Sequence, residues 1–163
     1  MVIKEKVLKA VNKQVNAELY SSYLYLAMSA YFESVNLPGF AGWMQVQANE
    51  ERNHAMKFYK YIFDRGGKVT LMAIDAPPDE WKSPLEAFKQ AYAHEMKVTQ
   101  MIYDILKVAR AEADPATENL LQWFINEQVE EEASAKQIVE KLQLIKDHAG
   151  SLMMLDKALG ERK

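Results

Sequence analysis

A carboxylate and an imidazole stand three residues apart in the segment ANEERNHAMKFY, which covers residues 48–59. The two residues, Glu51 and His54, lie in a stretch that also carries large apolar side chains such as Met44 and Phe58. A spacing of three puts both side chains on one face of a helix, about one turn apart. Such a pair can bind a metal ion, but alone it is weak support, because most Glu-x-x-His pairs arise by chance and lie at a surface.

Three other segments carry a carboxylate in the same setting, inside a stripe of apolar residues that recurs every three or four positions. An offset of 77 positions takes the polar residues of the first half of the chain onto those of the second, namely Glu18 onto Glu95, Glu51 onto Gln128 and His54 onto Glu131. This internal repeat indicates two helical hairpins that supply matching positions to one level of a bundle.

Carboxylates that converge in an apolar interior repel one another and lose their hydration, so they must take up protons or bind a cation. Hard carboxylate oxygens together with one imidazole suit iron or manganese better than zinc or copper. The alternative is a purely structural polar core, in which the same groups are protonated and hydrogen-bonded. Because all four stripes are interrupted at one level, the sequence favours a site for two metal ions.

The composition narrows the classes of protein and of metal site. The chain has no cysteine, which excludes disulfides, iron–sulfur clusters and thiolate ligands, so any metal must be held by oxygen and nitrogen. A formal net charge of −3 with mixed signs gives no reason to expect nucleic acid as a partner. No run approaches about 18 apolar residues and none resembles a signal peptide, so we expect a cytoplasmic protein with no membrane partner.

Few but long elements must position these side chains, because turn-forming residues are confined to a few short segments of the chain. The intervening apolar periodicity predicts amphipathic helices. We expect an all-α fold in a single domain, 1–163, with helices at about 4–35, 39–65, 84–111 and 115–146 and a short fifth helix at about 150–159. Ser83 with Pro84, and Asp114 with Pro115, are typical of helix starts.

The connections between these helices predict the topology. The first two helices are joined by a few residues, as are the third and fourth, so each pair forms an antiparallel hairpin. Residues 67–82 between the hairpins can span about 50 Å when extended, which is enough to run the length of the bundle. We therefore expect a four-helix bundle with one long crossover, along which Val69 and Leu71 lie against the helices.

Six segments spread over the chain form a joint pattern: NAELYSSYLYLAMSAYF, EERNHAMKFYKYIFDRGG, APPDEW, AHEMKVTQMIYDI, WFINEQVEEE and LDKALG. With them the chain resembles the non-haem ferritins of bacteria and archaea over nearly its whole length. The resemblance implies a ferritin-like bundle that acts as a ferroxidase, oxidising Fe(II) to Fe(III) with dioxygen at a di-iron centre within the subunit. It also implies storage of the ferric mineral in a hollow homo-oligomer of 24 subunits.

The resemblance implies a role for each residue of the polar set. Glu18, Glu51 and His54 correspond to ligands of the first iron. Glu51, Glu95 and Glu131 correspond to ligands of the second, so Glu51 bridges the two ions.

Further residues are assigned by the same resemblance. Tyr25 would lie beside the centre and help to handle electrons, and Gln128 would contact dioxygen or the surroundings of the second ion. A third iron site is implied at the carboxylates Glu50, Glu127 and Glu130, together with Glu131. Without that site, the run EQVEEE at 127–132 would be interpreted as a solvated helix face.

Related families differ at identifiable positions. Bacterioferritins have a second Glu-x-x-His where this chain has Gln128 and Glu131, and a haem-binding methionine where it has Arg52, so no haem is expected. Rubrerythrins need cysteine, and mini-ferritins build their sites between subunits and lack the fifth helix. A bundle-forming interaction protein without catalysis is the alternative from a different class, and iron titration distinguishes it.

Residues outside the polar stripes give two further expectations. His94 and His148 fit no stripe, so we expect both imidazoles at the surface. Apolar residues exceed what one bundle interior requires, which suggests further faces that need subunit neighbours. These residues are Leu24, Tyr31, Trp43, Leu152 and Leu155.

Overall fold

The fold is a bundle of four long helices with a short fifth helix at its end. The computed structural model describes residues 1–163, with α1 at Glu5–Ser34, α2 at Pro38–Asp64, α3 at Pro84–Ala111, α4 at Pro115–Ile145 and α5 at Ala149–Leu159. These bounds differ from the expected ones by at most one residue. The all-α bundle with one long crossover and a short fifth helix is therefore confirmed. None of the five helices has the length and apolar character required to cross a bilayer.

The starts of α3 and α4 are set by side-chain caps. Ser83 accepts a hydrogen bond from the backbone N–H of Glu86, and Asp114 accepts one from that of Thr117. Asp114 also accepts two bonds of 3.1 Å from the guanidinium of Arg65, just after the end of α2. The cap of α4 is thus tied to the neighbouring hairpin.

Two apolar clusters fill the bundle, one towards each end. We call one the lower cluster, which includes Val7, Val11, Phe58, Ile102 and Phe124. The other is the upper cluster, which includes Met28, Phe32, Phe40, Met44 and Phe88. Helices α1 and α4 run from the lower cluster to the upper, whereas α2 and α3 run the opposite way. The crossover therefore joins two parallel helices.

The crossover between α2 and α3 is held mainly by hydrogen bonds to its backbone. The amide of Asn12 donates to the carbonyl of Lys68 at 3.0 Å and accepts from the N–H of Thr70 at 2.7 Å. Val69 packs against the lower cluster, as expected, but Leu71 is 65% exposed. The expectation for Leu71 is therefore wrong, and the contacts of Asn12 hold the crossover only at Lys68 and Thr70.

The apolar residues expected to need subunit neighbours are mostly covered by the chain itself. Leu24, Tyr31 and Trp43 are buried in the upper cluster, so the expectation is wrong for these three. Trp81 of the crossover contacts Tyr31, with ring centroids 5.5 Å apart. Leu152 and Leu155 of α5 also pack on this cluster and close the end of the bundle.

Helix α5 docks against the start of α2 by a close backbone approach. Asp156 accepts a hydrogen bond from the N–H of Phe40 at 2.9 Å. Its carbonyl oxygen lies so near Gly39 that a Cβ there would be only 1.7 Å away. Glycine is therefore required at position 39 for α5 to occupy this place.

Candidate metal centre

A layer of polar side chains separates the lower cluster from the upper cluster. Every long helix contributes to it, with Glu18 from α1, Glu51 and His54 from α2, Glu95 from α3, and Gln128 and Glu131 from α4. All six side chains are buried. The layer forms because each residue interrupts an apolar stripe near the middle of its helix, so docking the stripes brings the polar positions together.

Two groups of three residues in this layer have ligand atoms within 4.8 Å of one another. One group is Glu18, Glu51 and His54, and the other is Glu51, Glu95 and Glu131. Glu51 belongs to both groups, so its two carboxylate oxygens can serve two neighbouring ions. The groups coincide with the ligand sets that the resemblance implies.

The carboxylate of Glu18 lacks a partner on one side. Its Oε1 accepts a hydrogen bond of 2.9 Å from the amide of Gln14. Its Oε2 is the only buried side-chain oxygen or nitrogen in the chain without a hydrogen-bond partner. Because an unpaired buried oxygen is costly, this atom is suited to bind a cation, and the donor set as a whole fits iron.

Burial shifts the acidity of these carboxyl groups. Loss of hydration raises the pKa of Glu18 and of Glu51 well above the usual range, and repulsion from neighbouring carboxylates raises both further. The same loss of hydration raises the pKa of Glu95 and that of Glu131 to about 7. Without metal the layer therefore retains protons near neutral pH, and bound cations would displace them.

Two glutamines orient the carboxylates of the second group. The Nε2 of Gln47 donates to Glu51 Oε1 at 3.1 Å and to Glu131 Oε2 at 2.6 Å. Gln128, expected beside the second ion, donates from Nε2 to Glu95 Oε2 at 3.2 Å. These amides keep the three oxygens in place while no cation is present.

Tyr25 lies beside the layer, as expected, and its hydroxyl donates a hydrogen bond to Glu95 Oε1. Burial raises the pKa of Tyr25 well above 10, and the nearby Glu95 raises it further. The phenol therefore remains protonated and acts as a donor to a carboxylate of the second group.

The expectation that His94 lies at the surface is wrong. Its imidazole is half-buried between α1 and α3, where Nε2 is 2.7 Å from Ser21 Oγ and the ring meets the edge of Tyr25. Burial lowers the pKa of His94 to about 4, so the ring is neutral. His148 is exposed, as expected, and accepts a hydrogen bond from Ser151 at the start of α5.

Two supporting residues are not singled out by the sequence pattern. Gln14 and Gln47 each precede a ligand by four positions, namely Glu18 and Glu51. Residues four apart on a helix are neighbours, so this spacing was a usable signal. Both halves of the α1–α2 hairpin thus use one device, a glutamine one turn before the carboxylate it orients.

A groove between α2 and α4 opens beside the buried layer and has a volume of about 330 Å³. The acidic residues that line it are Glu50, Glu127, Glu130 and Glu131. Glu127 forms a third group of potential ligands with His54 and Glu131, whereas Glu50 is paired with Arg162 and Glu130 lies outside the group. The exposed residue Asn53 also lines this groove. A larger cavity of about 490 Å³ lies between α1 and α3 and is lined by none of the predicted ligands.

The chain is similar to a known protein family, to curated relatives and to solved structures. Residues 8–145 match the family model described as a ferritin-like domain. The chain is 42% identical over 161 residues to a bacterial non-heme ferritin of Bacteroides fragilis strain 638R, covering 99% of this chain and 100% of the relative. It is 38% identical over 161 residues to that of Staphylococcus aureus strain MRSA252, covering 99% and 97%. An open pore ferritin of the archaeon Archaeoglobus fulgidus has a TM-score of 0.98 and 52% identity, covering 99% of each chain.

Proposed function

The chain belongs to the ferritin family, and from this premise we propose that it oxidises Fe(II) with dioxygen and stores the ferric product in a hollow homo-oligomer in the cytoplasm. The observation that carries the proposal is the buried polar layer. It combines four carboxylates and one imidazole in two overlapping groups, and it leaves one oxygen of Glu18 unpaired. Structural cores rarely leave a buried oxygen without a hydrogen-bond partner, so this atom favours a metal site.

We assign the two groups as neighbouring positions for Fe(II), the substrate. Glu18 and His54 hold one ion, Glu95 and Glu131 hold the other, and Glu51 bridges them. Each Fe(II) gives up one electron, so a pair of ions reduces one dioxygen molecule by two electrons.

The residues of the layer favour the oxidation of Fe(II) to Fe(III). Oxidation raises the charge on each ion, and carboxylates bind the higher charge more strongly, so the site favours the ferric product. The protons that the carboxyl groups hold without metal leave when Fe(II) binds. Gln47, Gln128 and Tyr25 keep the ligand oxygens oriented during this exchange.

The groove between α2 and α4 provides an outer iron site in this proposal. Glu131 and His54 border both the groove and the buried layer, so they link the two. Glu127 is 31% exposed in its side chain and Glu50 is 42% exposed, which suits a weaker and more accessible position than the buried pair. We propose that Glu50, Glu127 and Glu130 contribute to this third iron site.

Stopped-flow oxidation of Fe(II), with iron counted per chain after size exclusion, tests the assignment. We expect Glu51→Ala and His54→Ala to slow the fast phase at least about 100-fold. The chain should stay folded, since removing one member of a crowded set of buried polar groups need not destabilise it. The triple variant Glu50→Ala, Glu127→Ala, Glu130→Ala is the contrast. It should keep the fast oxidation of the first two irons and change later filling.

Two results would contradict the proposal. If folded Glu51→Ala protein oxidised Fe(II) at the wild-type rate, the buried layer would not be the ferroxidase centre. If the wild type did not oxidise Fe(II) at all, the chain would be a bundle-forming protein without catalysis. If the triple variant slowed the first turnover as much as Glu51→Ala, then its three carboxylates would belong to the primary centre.

A further inference from the structure

The C-terminal tail places a positive charge inside the acidic groove. Arg162 follows α5, and its Nη2 donates to Glu50 Oε2 at 2.7 Å. Its Nη1 donates to Gln47 Oε1 at 3.0 Å. The guanidinium also lies over the ring of Trp43, 4.3 Å from the centroid. Three contacts from residues of α2 therefore fix one cationic side chain.

The position of this guanidinium overlaps the region assigned to the outer iron site. Arg162 lines the same groove as His54, Glu127 and Glu130. Its partner Glu50 is the one groove carboxylate in an ion pair with an arginine. A metal ion that binds Glu50 must break the ion pair between this carboxylate and Arg162, and it is also repelled by the guanidinium.

We propose that Arg162 is a tethered cation that occupies the outer acidic site and competes with a metal ion for Glu50. The inference rests on the proposed function, because it assumes that the groove binds metal. Arg162 thereby sets the affinity of the outer site and keeps the carboxylate of Glu50 neutralised while no metal is bound.

The side chain of Arg162 can leave the groove without disturbing a helix. It lies in the irregular segment after Gly160, between the exposed residues Glu161 and Lys163. The side chains of Arg162 and Glu50 are 24% and 42% exposed, and ion pairs with such access to water contribute little net stability. A multivalent cation can therefore displace the guanidinium without unfolding any helix.

Displacement of Arg162 would also affect the buried layer, because Gln47 contacts both. Arg162 holds the amide oxygen of Gln47, which leaves the amide nitrogen facing Glu51 and Glu131. When Arg162 leaves, this amide loses one of the three contacts that fix its orientation and keeps those of its nitrogen with Glu51 and Glu131. Glu131, a member of both the buried and the outer group, then becomes freer to turn towards the groove.

Binding of Tb³⁺ tests the competition without any iron chemistry. Trp123 lines the groove and lies edge-on to His54, with ring centroids 5.6 Å apart, so its excitation should sensitise Tb³⁺ in the groove. The part of the signal lost in Glu127→Gln, Glu130→Gln protein defines the outer site. We expect Arg162→Ala to tighten this component about fivefold. Lys163→Ala, which removes a charge one residue away, should leave it unchanged.

A double-mutant cycle identifies the partner of Arg162. In a Glu50→Gln background the outer component should be weaker. Arg162→Ala should tighten it less than in the wild type, because the ion pair is already gone and only the repulsion between the guanidinium and the metal ion remains. Equal tightening in both backgrounds would overturn the inference, as would an unchanged or weaker affinity in Arg162→Ala alone.

The experiment also separates this inference from the function it rests on. If neither the wild type nor Arg162→Ala shows a component that depends on Glu127 and Glu130, then the outer site itself is wrong. If that component is present but does not respond to Arg162→Ala, then the site stands and the competition is overturned. Circular dichroism of each variant verifies that the helices are retained.

Discussion

At the scale of single residues, the layer between the two apolar clusters opposes folding in its charged form. Burial raises the pKa of Glu95 and of Glu131 to about 7, and these carboxyl groups have pKa values near 4.3 in an unfolded chain. A group with a raised pKa binds its proton more tightly when folded. Its stabilising contribution is therefore complete below the unfolded pKa and is lost as pH rises through about 7.

This gives a prediction for the metal-free protein. We expect its free energy of unfolding to fall on the order of 5 kcal/mol between pH 5 and pH 8, as the two carboxyl groups lose their protons inside the fold. Calorimetric melting at several pH values, with chelator present, measures the slope. The variant Glu95→Gln, Glu131→Gln is the control and should have a flatter profile. Equal slopes for both proteins would show that other groups cause the pH dependence.

At the scale of the elements, the docking of α5 depends on one close approach to α2. The carbonyl of Asp156 occupies the space that a side chain at position 39 would need. Helix α5 has no fully buried residue, and its leucines pack only partly buried on the upper cluster. Its position, and with it that of Arg162, is therefore sensitive to Gly39.

We predict that Gly39→Ala displaces α5 and destabilises its docked state by about 1–3 kcal/mol, the usual cost of overpacking. Hydrogen exchange of the α5 amides should accelerate, while that of α1 to α4 changes little. Gly42→Ala is a matched control on the same helix, because a Cβ there meets nothing within 4 Å. It should stabilise the chain slightly through helix propensity. Equal exchange rates in both variants would contradict the role of Gly39.

At the scale of the whole molecule, the chain leaves large apolar side chains exposed after the bundle and α5 have formed. Several lie on the long helices or on α5, among them Tyr23, Leu26, Met56, Phe63, Met153 and Met154. Exposed apolar side chains of this number favour association between subunits. They replace Leu24, Tyr31 and Trp43 as the residues through which we propose that the homo-oligomer forms.

Light scattering at micromolar concentration tests the assembly. We predict a monodisperse particle of 24 chains for the wild type. Leu26→Arg places a charge where the side chain is 49% exposed, and it should shift the population towards smaller species. Leu26→Met retains an apolar side chain of similar volume and should assemble normally. A monomeric wild type would contradict the proposal.

The sequence by itself determined the helices and the level of the polar layer. Periodicity and capping residues define where a helix begins, ends and turns its apolar face, because these features depend on residues within a few positions of one another. Once the four stripes face inward, Glu18, Glu51, His54, Glu95 and Glu131 must meet at one level. The i, i+4 spacing that positions Gln14 and Gln47 is also present in the sequence.

Only the tertiary structure decided the contacts that cross the molecule. Arg162 and Glu50 are 112 residues apart, and no local pattern indicates that the tail reaches the groove. The burial of His94, the burial of Trp43 and the need for Gly39 likewise depend on how far α3, the crossover and α5 approach their neighbours. Helix geometry is set by local hydrogen bonds, whereas these distances follow from the packing of whole surfaces, which the spacing of residues in one helix does not specify.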